Sequence, residues 1–280
     1  MEIIENYNLK QESYIKIGGI AKEFVIFDSA EEVAEFAKSR NEMPFIIGNC
    51  SNILFSDGVI NRTFGTLKKI REIKSLGNNR FEVGAGLKFK DFIGFMKENN
   101  LTGFENIAGI PGTVGGLAVI NAGAYKKEIF ENIEEVEFID SDFNIKRLKR
   151  EEINFGYRNT QFKENKNIIT SVIFKMDNGF KWTEMVALLQ SRREKQPLEY
   201  PNIGSIFKNP KGDFAARLIE ACGFKGKYCG GAQVAEKHAN FIVNRDNATF
   251  NDVLSLVKEI KSVVFEKFGV QLEEEIIIVD

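Results

Sequence analysis

Gly109-Ile-Pro-Gly-Thr-Val-Gly-Gly116, followed by Asn121-Ala-Gly-Ala-Tyr125, is the stretch on which the reading of this chain turns. It holds four glycines in eight residues, three of them spaced three apart. Glycine costs backbone entropy in a regular element and leaves nothing to pack, so a tight loop is expected here rather than a core helix or strand. Backbone can approach a flat or bulky group closely in such a loop, and successive N–H groups in turns form a concavity suited to an anion. Phosphate or a large cofactor is the expected guest. The stretch matches neither G-x-G-x-x-G nor G-x-x-x-x-G-K-[ST], so the two common nucleotide motifs do not apply. On these residues alone, a glycine-rich packing turn without a ligand stays open.

Upstream, a second loop of small residues, Gly48-Asn-Cys-Ser-Asn52, sits between the apolar runs Pro44–Ile47 and Ile53–Phe55. It reads either as a strand, phosphate-sized loop and strand or as a plain β-hairpin turn. Glu23–Phe27 reads as a strand, and Ser29 with Glu32 resembles a capping box opening a short helix that ends near Arg40. Arg80–Gly86 is a strand closing on glycines, and Asp91 opens a helix with the stripe Phe92, Phe95 and Met96. Downstream, Ile133–Asp140 and Ile168–Met176 alternate as strands. Phe155-Gly-Tyr-Arg-Asn-Thr-Gln-Phe162 between them shows neither period and carries one arginine, which a partner anion would lift above the ordinary surface kind. A helix over Met185–Gln196 is stopped by Pro197, and a domain boundary is placed there. Gly204–Pro210 is a loop, Asp213 caps a helix closing at Gly223, and Thr249 with Asp252 caps a last helix ending at Gly269. Glu273-Glu-Glu275 then leads into the strand Ile276–Val279.

The composition bounds the function. At 280 residues and 43% hydrophobic content, the chain can bury the cores of two domains. A formal charge of -2 gives no basic field for nucleic acid. Cys50, Cys222 and Cys229 are odd in number and form no C-x-x-C, which argues against a disulfide frame or zinc knuckle and for a reducing, cytoplasmic setting. No signal peptide layout and no membrane-length apolar run are present. The sole histidine, His238, has no second histidine to share a metal, and no G-x-S-x-G points to a hydrolase. What remains is a half with two glycine-bearing loops, suited to a cofactor, and a half with scattered polar residues, suited to a substrate.

As a set, five blocks resemble the UDP-N-acetylenolpyruvylglucosamine reductases, flavoenzymes of peptidoglycan precursor synthesis. They are Gly48-x-x-Ser-Asn52, Gly109–Gly116 with Asn121–Tyr125, Gly156-Tyr-Arg158, Gly204-Ser-Ile-Phe-Lys-Asn-Pro210 and Gly231–Asn244, in family order, and the resemblance runs from about Ser13 to Glu275. It implies an α+β fold: a two-lobed FAD-binding region of the vanillyl-alcohol-oxidase type, with lobes at 1–66 and 67–196, and a carboxy-terminal α/β substrate domain at 197–280. It further implies that FAD is gripped by Gly48, Asn49, Cys50, Ser51 and Asn52, and by Gly109, Ile110, Pro111, Gly112, Thr113, Gly115, Gly116, Ala122 and Gly123. On this resemblance glycine is needed because a side chain would occupy the flavin's place.

The same resemblance assigns catalysis to Arg158, Ser205 and Glu275, the last in Leu272-Glu-Glu-Glu275, and leaves Glu273 and Glu274 structural or solvent-facing. Tyr157, Lys208, Asn209, Gln233 and His238 match positions that contact the sugar nucleotide. NADPH and UDP-N-acetylglucosamine enolpyruvate are the implied small-molecule partners of a monomer, with no metal, nucleic acid or membrane insertion. Arg158 and Ser205 lie only 47 residues apart, which fits the shorter class lacking an inserted tyrosine loop over the substrate. Three positions depart from the family pattern: Cys50 replaces the second glycine of its loop, Ala235 stands where serine is common, and Ile276-Ile277 replaces Val-Arg. Cys50 implies either a φ that non-glycine residues can reach or an altered grip on FAD. The alternatives are another flavin oxidoreductase of this fold and a flavin or sugar-nucleotide binding module without catalysis.

Overall fold

A computed structural model describes all 280 residues, Met1–Asp280. Its contacts divide the chain into two compact units, one of Met1–Glu5, Glu23–Asn49 and Arg62–Gln190, the other of Asn6–Lys22, Cys50–Asn61 and Ser191–Asp280.

The first unit is built on a five-stranded antiparallel sheet ordered Ile145–Lys149, Ile133–Ile139, Ile168–Lys175, Arg80–Gly84 and Ile73–Gly77. Central Ile168–Lys175 is buried at every position but its last, as a strand covered on both faces must be. The abundant phenylalanines form the core over it. Phe92 stacks on Phe174 at 5.1 Å between ring centres, and Phe104 meets Phe174 edge-on at 5.3 Å, geometries that the ring quadrupole favours. The helix Phe89–Glu98 supplies Phe89, Phe92, Ile93 and Met96 to this core. It opens two residues before the expected start at Asp91, which lies in its first turn. Ser29 caps the helix Ala30–Arg40 as read from the sequence, its side chain accepting from the Glu32 N–H at 3.3 Å.

In the second unit, a four-stranded antiparallel sheet is ordered Asn202–Ser205, Phe241–Asn244, Ala232–Val234 and Tyr228–Cys229. The helix Phe250–Phe268 buries Val253, Leu256, Val257, Ile260 and Val264 in the core of this unit. Thr249 and Asp252 form its capping box, and Gly269 ends it in the left-handed region at φ 67. Ile277–Val279 pairs in parallel with Ile53–Phe55, while in the first unit Phe45–Ile47 pairs in parallel with Phe64–Thr66. The turn at 48–52 is therefore not a β-hairpin, because each flanking strand finds a different partner.

Three local readings need correction. Val114–Val119 is a short helix, so the glycine-dense stretch is loop only through Thr113. Phe214, not Asp213, is the cap residue of the helix Ala215–Ala221; Asp213 instead accepts from the Phe214 N–H and pairs with Arg217. The aperiodic segment around Arg158 is a miniature hairpin, Phe155–Gly156 against Asn159–Thr160, too short to show a period.

Candidate active site

The two glycine-bearing loops meet. A Cβ on Gly48 would lie 2.6 Å from the Thr113 hydroxyl oxygen, one on Gly112 2.1 Å from Leu117 Cδ1, and one on Gly115 2.7 Å from Ala85 Cβ. The protein's own packing thus crowds all three, most firmly Gly115 against Ala85, while at Gly48 and Gly112 the close atom is a side-chain tip; this is a different reason from the space for flavin that the resemblance implied. Thr113 caps the short helix, its hydroxyl accepting from the Gly116 N–H at 3.2 Å. The Val114 and Gly115 N–H groups donate to the Leu87 and Ala85 carbonyls, each at 2.9 Å. The amides expected to grip an anion at 114–116 are therefore already used. Pro111 has no N–H and Ile110 N–H donates to the Ile107 carbonyl at 3.0 Å, so half-buried Gly48, Asn49, Gly109 and Gly112 remain, a donor set of small and neutral residues with no carboxylate among them. That chemistry fits a pyrophosphate.

Cys50 takes φ 47 and is 3% exposed. Its backbone holds the left-handed conformation that glycine adopts freely, and burial pushes its thiol up to about 12. Cys50 thus takes a φ that a non-glycine residue can reach, the first of the two expectations.

Arg158 also has positive φ, at 54. Its guanidinium donates to the Gly123 carbonyl at 2.6 Å and lies 4.9 Å from the centre of the exposed Tyr157 ring. Asn121, quoted in the sequence but given no role, ties the surrounding chain together. It is 0% exposed, donates to Glu128 at 2.7 Å and to the Gly156 carbonyl at 3.0 Å, and accepts from the Phe130 N–H at 3.4 Å. One buried amide therefore links the two ends of the Gly123–Glu128 turn to the hairpin bearing Arg158. A lone asparagine beside Ala-Gly-Ala is the only trace this leaves in the sequence.

In the second unit, Ser205 and Glu275 come together through the main chain. Glu275 N–H donates to the Ile206 carbonyl at 2.8 Å, Lys208 N–H donates to the Glu273 carbonyl at 2.9 Å, and Phe207 faces Glu274 as an antiparallel bridge. Ser205 is displayed by a β-bulge. Three residues step from Asn202 to Ser205 while two step from Val243 to Phe241, and Gly204 absorbs the irregularity at φ 77. The Asn202 side chain accepts from the Gly204 N–H at 3.0 Å, which fixes the bulge. Asn52, assigned to the cofactor by resemblance, donates through its side chain to the Glu275 carbonyl at 3.0 Å, and its own carbonyl accepts from Ile277 N–H at 2.9 Å. Ile276 is in the core and Ile277 in the sheet, so the departure from Val-Arg is read there as packing.

The residues assigned to the sugar nucleotide are less uniform. Lys208 pairs with the exposed Glu273, and Glu274 pairs with Lys261 at 2.6 Å. Asn209 accepts from the Ala215 N–H at 3.1 Å, and buried Gln233 donates to the Gly226 carbonyl at 3.2 Å; both serve their own unit's structure. His238 rests edge-on against Phe241 at 4.8 Å, its Nδ1 buried without a partner. Burial lowers its basicity, favouring the neutral ring.

A family model described as FAD binding domain matches residues 21–149, and one described as UDP-N-acetylenolpyruvoylglucosamine reductase, C-terminal domain, matches 196–279. A UDP-N-acetylenolpyruvoylglucosamine reductase of Fusobacterium nucleatum is 43% identical over 280 residues, covering 100% of both chains. The chain belongs to the UDP-N-acetylenolpyruvoylglucosamine reductase family. A reductase of Caldanaerobacter subterraneus is 42% identical, over 98% of this chain and 92% of its own. The crystal structure of the reductase from Thermus caldophilus superposes with a TM-score of 0.83 at 29% identity, over 100% of this chain and 98% of that one. The fold is accordingly the family's: an α+β chain carrying an FAD-binding domain and the reductases' own carboxy-terminal domain. No helix is long and apolar enough to cross a membrane.

Proposed function

We propose that the protein reduces UDP-N-acetylglucosamine enolpyruvate to UDP-N-acetylmuramate with NADPH, using FAD, for peptidoglycan precursor synthesis in the cytoplasm, and that it works as a monomer. The observation that carries this reading is the pairing of 273–275 with 206–208, which sets a carboxylate strand beside Ser205. Lobes at 1–66 and 67–196 would hold the cofactor and 197–280 the sugar nucleotide, with Gly48, Asn49, Gly109 and Gly112 as backbone donors. Bound FAD would supply a hydride acceptor for NADPH and a hydride donor for the vinyl carbon of the substrate.

The chain's own residues govern the charge and the proton. Hydride addition to the vinyl carbon leaves an electron pair on the adjacent carbon, delocalised into the substrate carboxylate as an enediolate. Arg158, permanently charged and planar, faces that carboxylate and stabilises the developing charge. Ser205 donates its hydroxyl proton to the adjacent carbon, completing the saturated product, and regains a proton from solvent. A serine is a weak acid, so this step needs a strongly basic acceptor within hydrogen-bond reach and little competing water. Its chain neighbours Ile203, Ile206 and Phe207, at 0%, 1% and 1% exposure, are anchored in the core and hold half-buried Ser205 in place. Glu275 polarises the same intermediate. Tyr157, Lys208, Asn209, Gln233 and His238 are assigned to the sugar nucleotide.

The test is spectroscopic. Purified protein should be yellow, bleach with NADPH under nitrogen, and recover its colour when the enolpyruvyl substrate is added. A colourless protein, or a reduced one indifferent to that substrate, would defeat the reading. Colour recovered only with oxygen would favour another flavin oxidoreductase.

A further inference from the structure

Asn240 has no role in the chemistry above, yet its polar groups are spent on the segment that separates Ser205 from Lys208. It is 3% exposed. Its side-chain oxygen accepts from the Phe207 N–H at 3.0 Å, its side-chain nitrogen donates to the Phe207 carbonyl at 2.8 Å, and its main-chain carbonyl accepts from the Ile206 N–H at 2.9 Å. The amide thus does for Phe207 what a neighbouring strand would do, at the point where the strand Phe241–Asn244 gives out. On its other edge the same segment carries the bonds to Glu275 and Glu273.

We propose that Asn240 is a positioning residue for proton transfer, setting the register in which Ser205 and Glu275 are presented together. This inference rests on the reaction proposed above. Ser205 immediately precedes the clamped pair, and the Glu275 amide is bonded to Ile206 itself. Phe207 is 1% exposed, so removing the amide strands a buried donor and acceptor that only movement of the segment can satisfy. Such movement displaces the proton donor and the carboxylate at once. The chemistry is demanding of geometry: a displacement of about 1 Å can lower a rate roughly 100-fold.

Asn240→Ala and Asn240→Asp holoenzymes are compared with wild type and with Val264→Ala, a cavity elsewhere in the same core. Asn240→Asp keeps the shape and the acceptor but loses the donor. The Asn240 variants should be reduced by NADPH at the wild-type rate. Their reoxidation by the enolpyruvyl substrate should be slowed roughly 10- to 100-fold, with a larger solvent isotope effect because proton transfer becomes more limiting. Val264→Ala should lower thermal stability without separating the two half-reactions. Reoxidation at the wild-type rate, equal loss in both half-reactions, or the same split in Val264→Ala would overturn the inference while leaving the reaction intact. So would failure of both Asn240 variants to fold, since the amide would then serve stability alone. Wild-type protein that the substrate does not reoxidise would overturn the reaction itself, and the inference with it.

Discussion

Around Arg158, the first unit ties the hairpin down with one buried side chain, Asn121, and uses non-glycine residues at positive φ; around Ser205 and Glu275, the second unit combines main-chain pairing with several side-chain amides and lets a glycine take the irregular angle. Arg158, Tyr125 and Lys126 have positive φ, between 50 and 63, each costing about 1–2 kcal/mol relative to right-handed backbone, while Asn121, at 45, is of a type that enters this region more readily. Strain of that kind persists only where the surroundings over-determine it, and Asn121 is the residue that does so. Beside Ser205 the corresponding angle belongs to Gly204, which adopts it at little cost. The first arrangement hangs on one amide, whereas the second divides the task between backbone bonds and the side-chain amides of Asn202, Asn52 and Asn240.

This contrast can be broken experimentally, and the largest effect is expected at the charge itself. Arg158→Ala should slow reoxidation of the reduced flavin by the enolpyruvyl substrate by roughly 100- to 1,000-fold, in line with loss of one transition-state donor, while NADPH still reduces it. Stopped-flow traces of the two half-reactions would decide this, and Arg158→Lys should recover only part of the rate because a point charge lacks the planar fork.

Next comes Asn121→Ala, which leaves buried groups of Gly156 and Phe130 without their partner and should cost about 2–4 kcal/mol in denaturant unfolding. Reoxidation should suffer with it. If stability drops but the reoxidation rate holds, Asn121 supports the fold alone and the contrast with the second unit loses its functional content.

Gly48→Ala probes the contact between the glycine loops. The added carbon, 2.6 Å from the Thr113 hydroxyl, should cost about 1–2 kcal/mol and hasten flavin release on dilution. Thr113→Ala in the same chain should return part of that loss. Simple additivity in the double-mutant cycle would mean that the loops do not press on one another.

The smallest effect is expected at Cys50. Cys50→Gly relieves a left-handed residue but gives the unfolded chain more freedom and removes a buried thiol, so the net change at neutral pH should stay within about 1 kcal/mol. The pH dependence is more telling. Burial raises the folded thiol from 9.0 to about 12, so the unfolded chain loses its proton first and stability falls as pH rises through that window. Unfolding measured at about pH 8 and about pH 11 should show a decline that is shallower in Cys50→Gly; identical slopes would place the thiol in contact with water.

The sequence made the first unit more legible than the second. Glycine density marked the loop at 109–116 and small polar residues the one at 48–52, because a backbone that approaches another segment closely favours small side chains, a constraint written in residue type. It did not mark the short helix Val114–Val119 that carries Gly115 and Gly116, since a glycine pressed against a neighbour, as Gly115 is against Ala85, looks like one in a loop. The bonds from Glu275 to Ile206 and from Lys208 to Glu273 have no signature in residue type. Main-chain pairing uses groups that nearly every residue has, so only the resemblance joined Ser205 to Glu275. Asn121 and Asn240 were missed for the related reason that a buried asparagine reads like any polar residue until its partners are known.

The central claim is that Ser205, held beside Glu275, delivers the proton that completes reduction of the substrate. Ser205→Ala, reduced with NADPH under nitrogen and then mixed with the enolpyruvyl substrate, tests it most directly. Flavin reduction should proceed at nearly the wild-type rate while reoxidation slows by roughly 100-fold or more, the usual worth of a positioned proton donor. Reoxidation as fast as wild type, or equal slowing of both steps, would contradict it.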